Sequence, residues 1–145
     1  MMKVSVKKMR PGAKLPVYGS AMAAGADLCA CLDAPAVIPA GQTVMVPTGI
    51  AMEIPAGYAG LVYARSGLAA KRDLAPANKV GVIDADYRGE IMVSVLNSSD
   101  DAYVMQPDER FAQMVFLPVL TADIEEVSDL DETVRGAGGF GSTGV

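Results

Sequence analysis

The chain contains no histidine, only two cysteines, and no apolar run approaching the roughly 20 residues that cross a bilayer. Each absence excludes chemistry. Without histidine there is no Ser-His-Asp triad, no Cys-His pair and no HExxH metal site. A general base must then be Asp, Glu, Lys, Tyr or Cys. The two cysteines, Cys29 and Cys31, are separated by one residue, a spacing that makes a disulfide between them awkward, and no second Cys cluster accompanies them for zinc. Both are expected as small buried hydrophobes. The segment from Met1 to Arg10 alternates Lys with Val and Met and lacks the apolar core of a secretory leader, so a cytoplasmic location is expected.

What is present points to a packed, strand-rich domain. At 145 residues and 51% hydrophobic the chain can bury a sizeable core. A net charge of −5 argues against broad neutralisation of nucleic-acid phosphates, but leaves room for a small phosphate ligand held by a few local donors. Nine prolines and fifteen glycines leave little space for long helices. Period-two alternation marks strands through Val44–Ile54, with a bend near Pro47 and Gly49, and at Leu61–Tyr63, Ile91–Leu96 and Phe111–Leu117. Turn signals at Asp33-Ala-Pro, Pro39-Ala-Gly, Pro55-Ala-Gly, Asn97-Ser-Ser-Asp and Gln106-Pro-Asp separate them. Many short strands imply an all-β barrel or sandwich. One short helix is expected after Ser66, which could be its N-cap.

Five segments carry candidate chemistry. Tyr63-Ala-Arg65-Ser66-Gly67-Leu68 runs a strand into a helix start, where unpaired N–H groups, a guanidinium and a hydroxyl suit phosphate. Gly81-Val-Ile-Asp84-Ala-Asp86-Tyr87-Arg88-Gly89-Glu90 puts four charged residues beside apolar strand residues. On an extended chain Asp84, Asp86, Arg88 and Glu90 would share one face and Tyr87 the other. A carboxylate here could deprotonate water, and spacing does not separate Asp84 from Asp86. The tail Arg135-Gly-Ala-Gly-Gly-Phe140-Gly141-Ser142-Thr143-Gly144 combines glycines that let backbone N–H groups wrap a ligand with an aromatic face for a base. Gly25-Ala-Asp27 sets an acid at the start of an apolar strand, suited to a Mg²⁺-bound water or to capping a turn. Gln113, within Arg110-Phe-Ala-Gln113-Met, places an amide in an apolar strand, where it needs partners.

In this order the five segments resemble the signature motifs of the trimeric dUTP pyrophosphatase (dUTPase) family, over nearly the whole chain. The resemblance implies an all-β, jelly-roll-like β-barrel over residues 1–134, and a flexible Gly-rich lid over 135–145. It implies a homotrimer with active sites shared between subunits, and Mg²⁺-dependent hydrolysis of dUTP to dUMP and pyrophosphate. Asp84 matches the aspartate that orients water on the α-phosphate, and Tyr87 the residue under deoxyribose that leaves no room for a 2′-OH. Asn78 falls where the uracil-recognising hairpin begins. Arg65, Ser66, Gly67 and Gln113 match phosphate-contacting positions, and Asp27 the acid that holds a metal-bound water. Arg135, Gly141, Ser142 and Thr143 match the γ-phosphate clamp, and Phe140 the aromatic that covers uracil. A dCTP deaminase-like enzyme of the same fold, and a non-catalytic dUTP-responsive regulatory protein, are the alternatives.

Overall fold

A computed structural model describes residues 2–142 and 144; Thr143, assigned above to the phosphate clamp, lies outside the described residues. The architecture is all-β with a single short helix. The strands are β1 (Ser5–Lys8), β2 (Val17–Tyr18), β3 (Ala26–Cys29), β4 (Ala36–Ile38), β5 (Thr43–Pro47), β6 (Ile50–Glu53) and β7 (Tyr58–Ala64). After the helix α1 (Ser66–Arg72) come β8 (Leu74–Pro76), β9 (Gly81–Ile83), β10 (Met92–Asn97), β11 (Tyr103–Met105) and β12 (Arg110–Pro118). All pairings are antiparallel and assemble four sheets: β2-β3-β12-β7-β9, β5-β10-β8, β1-β6 and β11-β4. The sheets form the expected jelly-roll-like all-β fold, assembled from four hydrogen-bonded sheets.

The period-two runs form strands for the expected reason, one apolar face turned inward. In β10 the alternation places Val93 and Val95 in the core while Met92 stays exposed. Leu28, Ile38, Val46, Ile50, Ile91, Met105 and Met114 are fully buried in one cluster drawn from all four sheets. Each such side chain stabilises the fold by about 1.5–3 kcal/mol through burial alone. The bend foreseen between β5 and β6 turns at Gly49, φ +70°, where a Cβ would stand 2.6 Å from Cys31 Sγ. Only glycine fits both the backbone angle and the space.

Several sequence expectations are corrected. Ser66 is not the cap of α1. The N-cap is Arg65, without a side-chain cap, and the helix stops at Arg72 because Asp73 adopts a left-handed conformation. Cys29 and Cys31 are half-buried free thiols rather than fully buried hydrophobes, with the charges of Lys14 and Asp108 acting on one and that of Arg10 on the other. Burial still pushes both thiols up from their ordinary value. The run Asp84–Glu90 is not one extended strand. β9 ends at Ile83, and a turn follows in which the Tyr87 N–H donates to Asp84 O at 3.2 Å. The alternate-face pattern is lost there because a turn rotates successive side chains away from period two.

Candidate active site

The centre of the five-stranded sheet brings three of the five segments together. Gln113 of β12 stands opposite Asp27 of β3 on one side and Tyr63 of β7 on the other. Directly opposed residues share a sheet face. Arg110 is three residues from Gln113 and in a regular strand would point the other way. The β12–β3 register, however, shifts between Arg110 and Ala112, so that Arg110 pairs with Cys29 while Ala112 pairs with Leu28. This bulge absorbs Phe111 and returns Arg110 to the face of Asp27 and Gln113.

Asp27 is the hub. It is buried (8% exposed), and each carboxylate oxygen accepts one guanidinium N–H: Arg65 Nε on Oδ1 at 2.9 Å and Arg110 Nη1 on Oδ2 at 3.1 Å. Arg65 Nη1 also donates to the Arg110 carbonyl at 3.0 Å, locking the two cations side by side. One acid between two arginines leaves the cluster with a formal excess of positive charge. Both guanidiniums keep an exposed part, the Arg65 side chain 31% and that of Arg110 57%. Fixed, partly exposed guanidiniums beside the exposed Ser66 and Gly67 form an anion shelf. The Gln113 amide finds the partner it needs in the Ala64 carbonyl, which accepts from Nε2 at 2.8 Å. It lies over Gly25, where any side chain would collide with it. Nothing in the sequence of its segment assigns Arg110 this place, because the bulge that aims it leaves no local signal.

A second region is built where two sheets part. β9 is an edge strand, paired only with β7, and β10 belongs to the neighbouring sheet. Between them lies a cavity of about 160 Å³ lined by Asn78, Gly81, Val82, Ile83 and the β10 residues Met92–Ser94, with Val62 at its base. The outward N–H and C=O groups of an edge strand are unpaired, so this cleft offers backbone donors and acceptors. The Asn78 side-chain amide lies over Gly81, 3.6 Å from where a Cβ would be. A second cavity of about 260 Å³ shares Val82, Ile83 and Met92 and adds Asp84, Tyr87, Met45 and Glu90. The Asp84 carboxyl is exposed at its rim. The Tyr87 ring lies across Gly89, and its hydroxyl donates to the Glu90 carbonyl at 2.9 Å. Arg88 turns away and donates to the Ala85 and Tyr87 carbonyls. Arg65, Ser66 and Gln113 line neither of these cavities.

The tail is separate from both. Its hydrogen bonds are internal: Arg135 Nε donates to Gly138 O at 2.8 Å, Gly138 N to Arg135 O, and Ser142 N to Gly139 O. Arg135, Gly141 and Ser142 are exposed, and Phe140 is fully exposed at φ +48°. Upstream, beyond the end of β12, Leu120, Ile124 and Leu130 also stand in solvent at 100%, 91% and 87% exposure. No group of three or more acids or cysteines is placed to hold a metal among the described residues, and no described helix is long and apolar enough to cross a membrane.

Comparison with known proteins converges on one family. The family model described as dUTPase matches residues 12–144. Among curated relatives, the deoxyuridine 5'-triphosphate nucleotidohydrolase of Desulfitobacterium hafniense is 52% identical over 144 residues, covering 99% of this chain and 95% of that one. The protein of the same description from Acinetobacter baumannii is 49% identical over 148 residues, covering 99% of both. Among solved structures, the Staphylococcus bacteriophage 80alpha dUTPase with dUPNHPP superposes with a TM-score of 0.90 at 26% identity, covering 100% of both chains. A phage phi11 dUTPase described with a structural Mg(II) ion shares the fold, with a TM-score of 0.81 at 22% identity, covering 90% of this chain and 100% of that one. With the family model spanning residues 12–144 and curated relatives at 52% and 49% identity across the chain, the chain belongs to the dUTPase family.

Proposed function

We propose that this chain hydrolyses dUTP to dUMP and pyrophosphate, with uracil in the β9–β10 cleft, deoxyribose on Tyr87 and the phosphates on the Asp27–Arg65–Arg110 shelf. The observation that carries the reading is a cleft beside the edge strand β9 that shares Val82, Ile83 and Met92 with a cavity bordered by an exposed carboxylate, Asp84. Uracil presents an N3–H donor beside a C4 carbonyl, and cytosine reverses that pattern. Backbone groups of β9, with the Asn78 amide above them, can separate the two bases. Tyr87, held flat over Gly89, is the floor that leaves no room for a ribose 2′-OH.

Asp84 accepts a proton from the water that attacks the α-phosphorus. The new P–O bond forms as the bond to the bridging oxygen breaks, and pyrophosphate leaves. Charge then builds on the phosphate oxygens, where fixed guanidiniums act most strongly because they need no reorganisation. Arg65, Ser66, Gly67 and Gln113 supply that fixed side. Arg135, Gly141, Ser142 and Thr143 supply a second side when the tail closes as a lid, and Phe140 covers the base.

The residues present fit Mg²⁺ held mainly by substrate phosphates and water. Asp27 spends one acceptor site per oxygen on arginine, and an ionised carboxylate has about four such sites, so a metal-bound water can still be accepted. When bound, the ion would neutralise charge on the triphosphate.

The shelf and the cleft line different surfaces, and the cleft is rimmed by exposed apolar side chains, Val82 at 60%, Met45 at 55% and Met92 at 42%. Together with the unpacked Leu120, Ile124 and Leu130, this supports a homotrimer in which neighbouring subunits cover these faces and complete shared active sites. The setting is the cytoplasmic nucleotide pool.

A nucleotide panel tests the assignment. Pyrophosphate should be released from dUTP and scarcely from UTP, dCTP or dTTP. Asp84→Asn should lower kcat by about 10²–10⁴-fold with little change in KM. Ammonia release from dCTP would instead make this a deaminase of the same fold. Tight dUTP binding without pyrophosphate release would make it a regulatory protein.

A further inference from the structure

Outside the shelf the structure holds a second arginine–carboxylate fork. Arg10 Nε and Nη2 meet Glu90 Oε1 and Oε2 at 2.9 and 3.0 Å, across 80 residues of sequence. Glu90 Oε1 also accepts the Gly49 N–H at 2.9 Å, and the Met9 N–H donates to Gly49 O at 2.7 Å. The next residue is tied to the same bend. Thr48 Oγ1 donates to Ile91 O at 2.6 Å, and the Ile91 N–H donates to Ile50 O at 2.8 Å. The N-terminal segment, the β5–β6 bend and the exit of the Asp84–Tyr87 turn therefore converge on one carboxylate.

That carboxylate belongs to the residue whose carbonyl fixes Tyr87. The Tyr87 hydroxyl donates to Glu90 O, and the ring rests on the bare Cα of Gly89. Among the described residues no other hydrogen bond orients the phenol. The ring height is thus set by where the Gly89–Glu90 backbone sits. That position is held from outside the site by Arg10 and from below by Gly49. The fork is bidentate, which fixes orientation as well as distance. Arg10 itself lines no part of the Asp84–Tyr87 cavity.

We propose that the Arg10–Glu90 fork is a positioning clamp for Tyr87, and that it sets how strongly the site rejects a ribonucleotide. The inference rests on the reading of Tyr87 as the sugar floor. Neither residue reaches the reacting atoms. A floor displaced by a fraction of an ångström would cost little at the phosphates, yet would open space for a 2′-OH and loosen the deoxyribose.

The test is steady-state hydrolysis of dUTP and UTP by Arg10→Gln, Glu90→Gln and the double variant. Glu90→Gln keeps an acceptor for the Gly49 N–H and so preserves the bend if Arg10→Gln folds poorly; melting curves report which is the case. Each single variant should raise KM for dUTP and reduce the dUTP-to-UTP ratio of kcat/KM by ~10-fold, with kcat for dUTP within ~3-fold of the parent. The double variant should be no worse than either single, because both remove one device. A purely structural pair would lower the melting temperature and leave the nucleotide ratio alone. An unchanged ratio in a folded variant, or single effects that multiply in the double, overturns the clamp. A parent protein that hydrolyses no dUTP would instead sink the site reading, and the clamp with it. A parent that discriminates while both variants match it sinks the clamp alone.

Discussion

The phosphate shelf and the C-terminal tail present the same functional groups in opposite states. On the shelf Arg65 and Arg110 are each bonded to a buried carboxylate within a continuous sheet. In the tail the Arg135 guanidinium reaches, among the described residues, only a carbonyl three residues away, and Phe140 is fully exposed. The shelf is set before substrate arrives, because cross-strand pairing has already ordered its side chains. Under the proposed function the tail is ordered by substrate, and the cost falls on the bound complex. A site divided this way can admit its ligand on the fixed side and exclude water on the other only once the ligand is home.

Of the changes that test this contrast, removing the tail should give the largest effect. A chain ending before Arg135 should lose about 10²-fold or more in turnover, as expected when donors to developing charge disappear. Its melting temperature should hardly move, since the tail's hydrogen bonds are internal. Normal pyrophosphate release by that chain would show the tail to be an appendage, and the contrast with the shelf would collapse. Asp27→Asn should strike the other side. Loss of the central charge leaves two guanidiniums without their shared partner, costing about 1–3 kcal/mol of stability and raising KM for dUTP. Denaturant unfolding beside dUTP kinetics checks both. A variant with parental stability would mean that the shelf is not pre-set by its acid.

The smallest effect is a control in the framework. Burial, and then the hydrogen bond to Glu109, push the Tyr103 phenol up to about 12. Because the folded value lies above the ordinary value of about 10, the neutral phenol contributes stability in full below pH 10. That contribution fades as pH rises through about 12. Partial exposure limits it to about 1 kcal/mol or less. Tyr103→Phe should flatten this stretch of the stability–pH curve and leave dUTP turnover at neutral pH unchanged. An unaltered alkaline slope would show that Tyr103 does not sense its neighbours. Lost turnover would tie the framework to the site more tightly than its position in β11 suggests.

Much of the fold could be read from local chemistry. The period of Val44–Ile54 and its bend at Gly49 follow from alternation and from one glycine's positive φ. The five segments were legible as chemistry, although Asp84 and Asp86 looked equivalent until the resemblance separated them. What stayed hidden depends on tertiary register. Ser66 looks like a cap, but the strand enters the helix through Arg65, whose side chain is engaged by Asp27 instead. Asp27 was read as a metal-water acid or a turn cap. The structure adds its grip on Arg65 and Arg110, which come 38 and 83 residues later. The Arg10–Glu90 fork is likewise beyond any local pattern.

The bulge in β12 carries a consequence for how this sequence can drift. A strand counts in twos, and the site needs Arg110 and Gln113, an odd step apart, on one side. Phe111 makes the step odd, and the bulge absorbs it. Replacing Phe111 by another apolar side chain alters packing alone. Losing Phe111 would straighten the strand and leave the two groups an even step apart, still on one side, whereas losing a residue farther along β12 would turn the rest of the strand over. The bulge is therefore a place where β12 can change in length by one residue as well as in letter, and the regular strand beyond it is not, a constraint on counting rather than on chemistry.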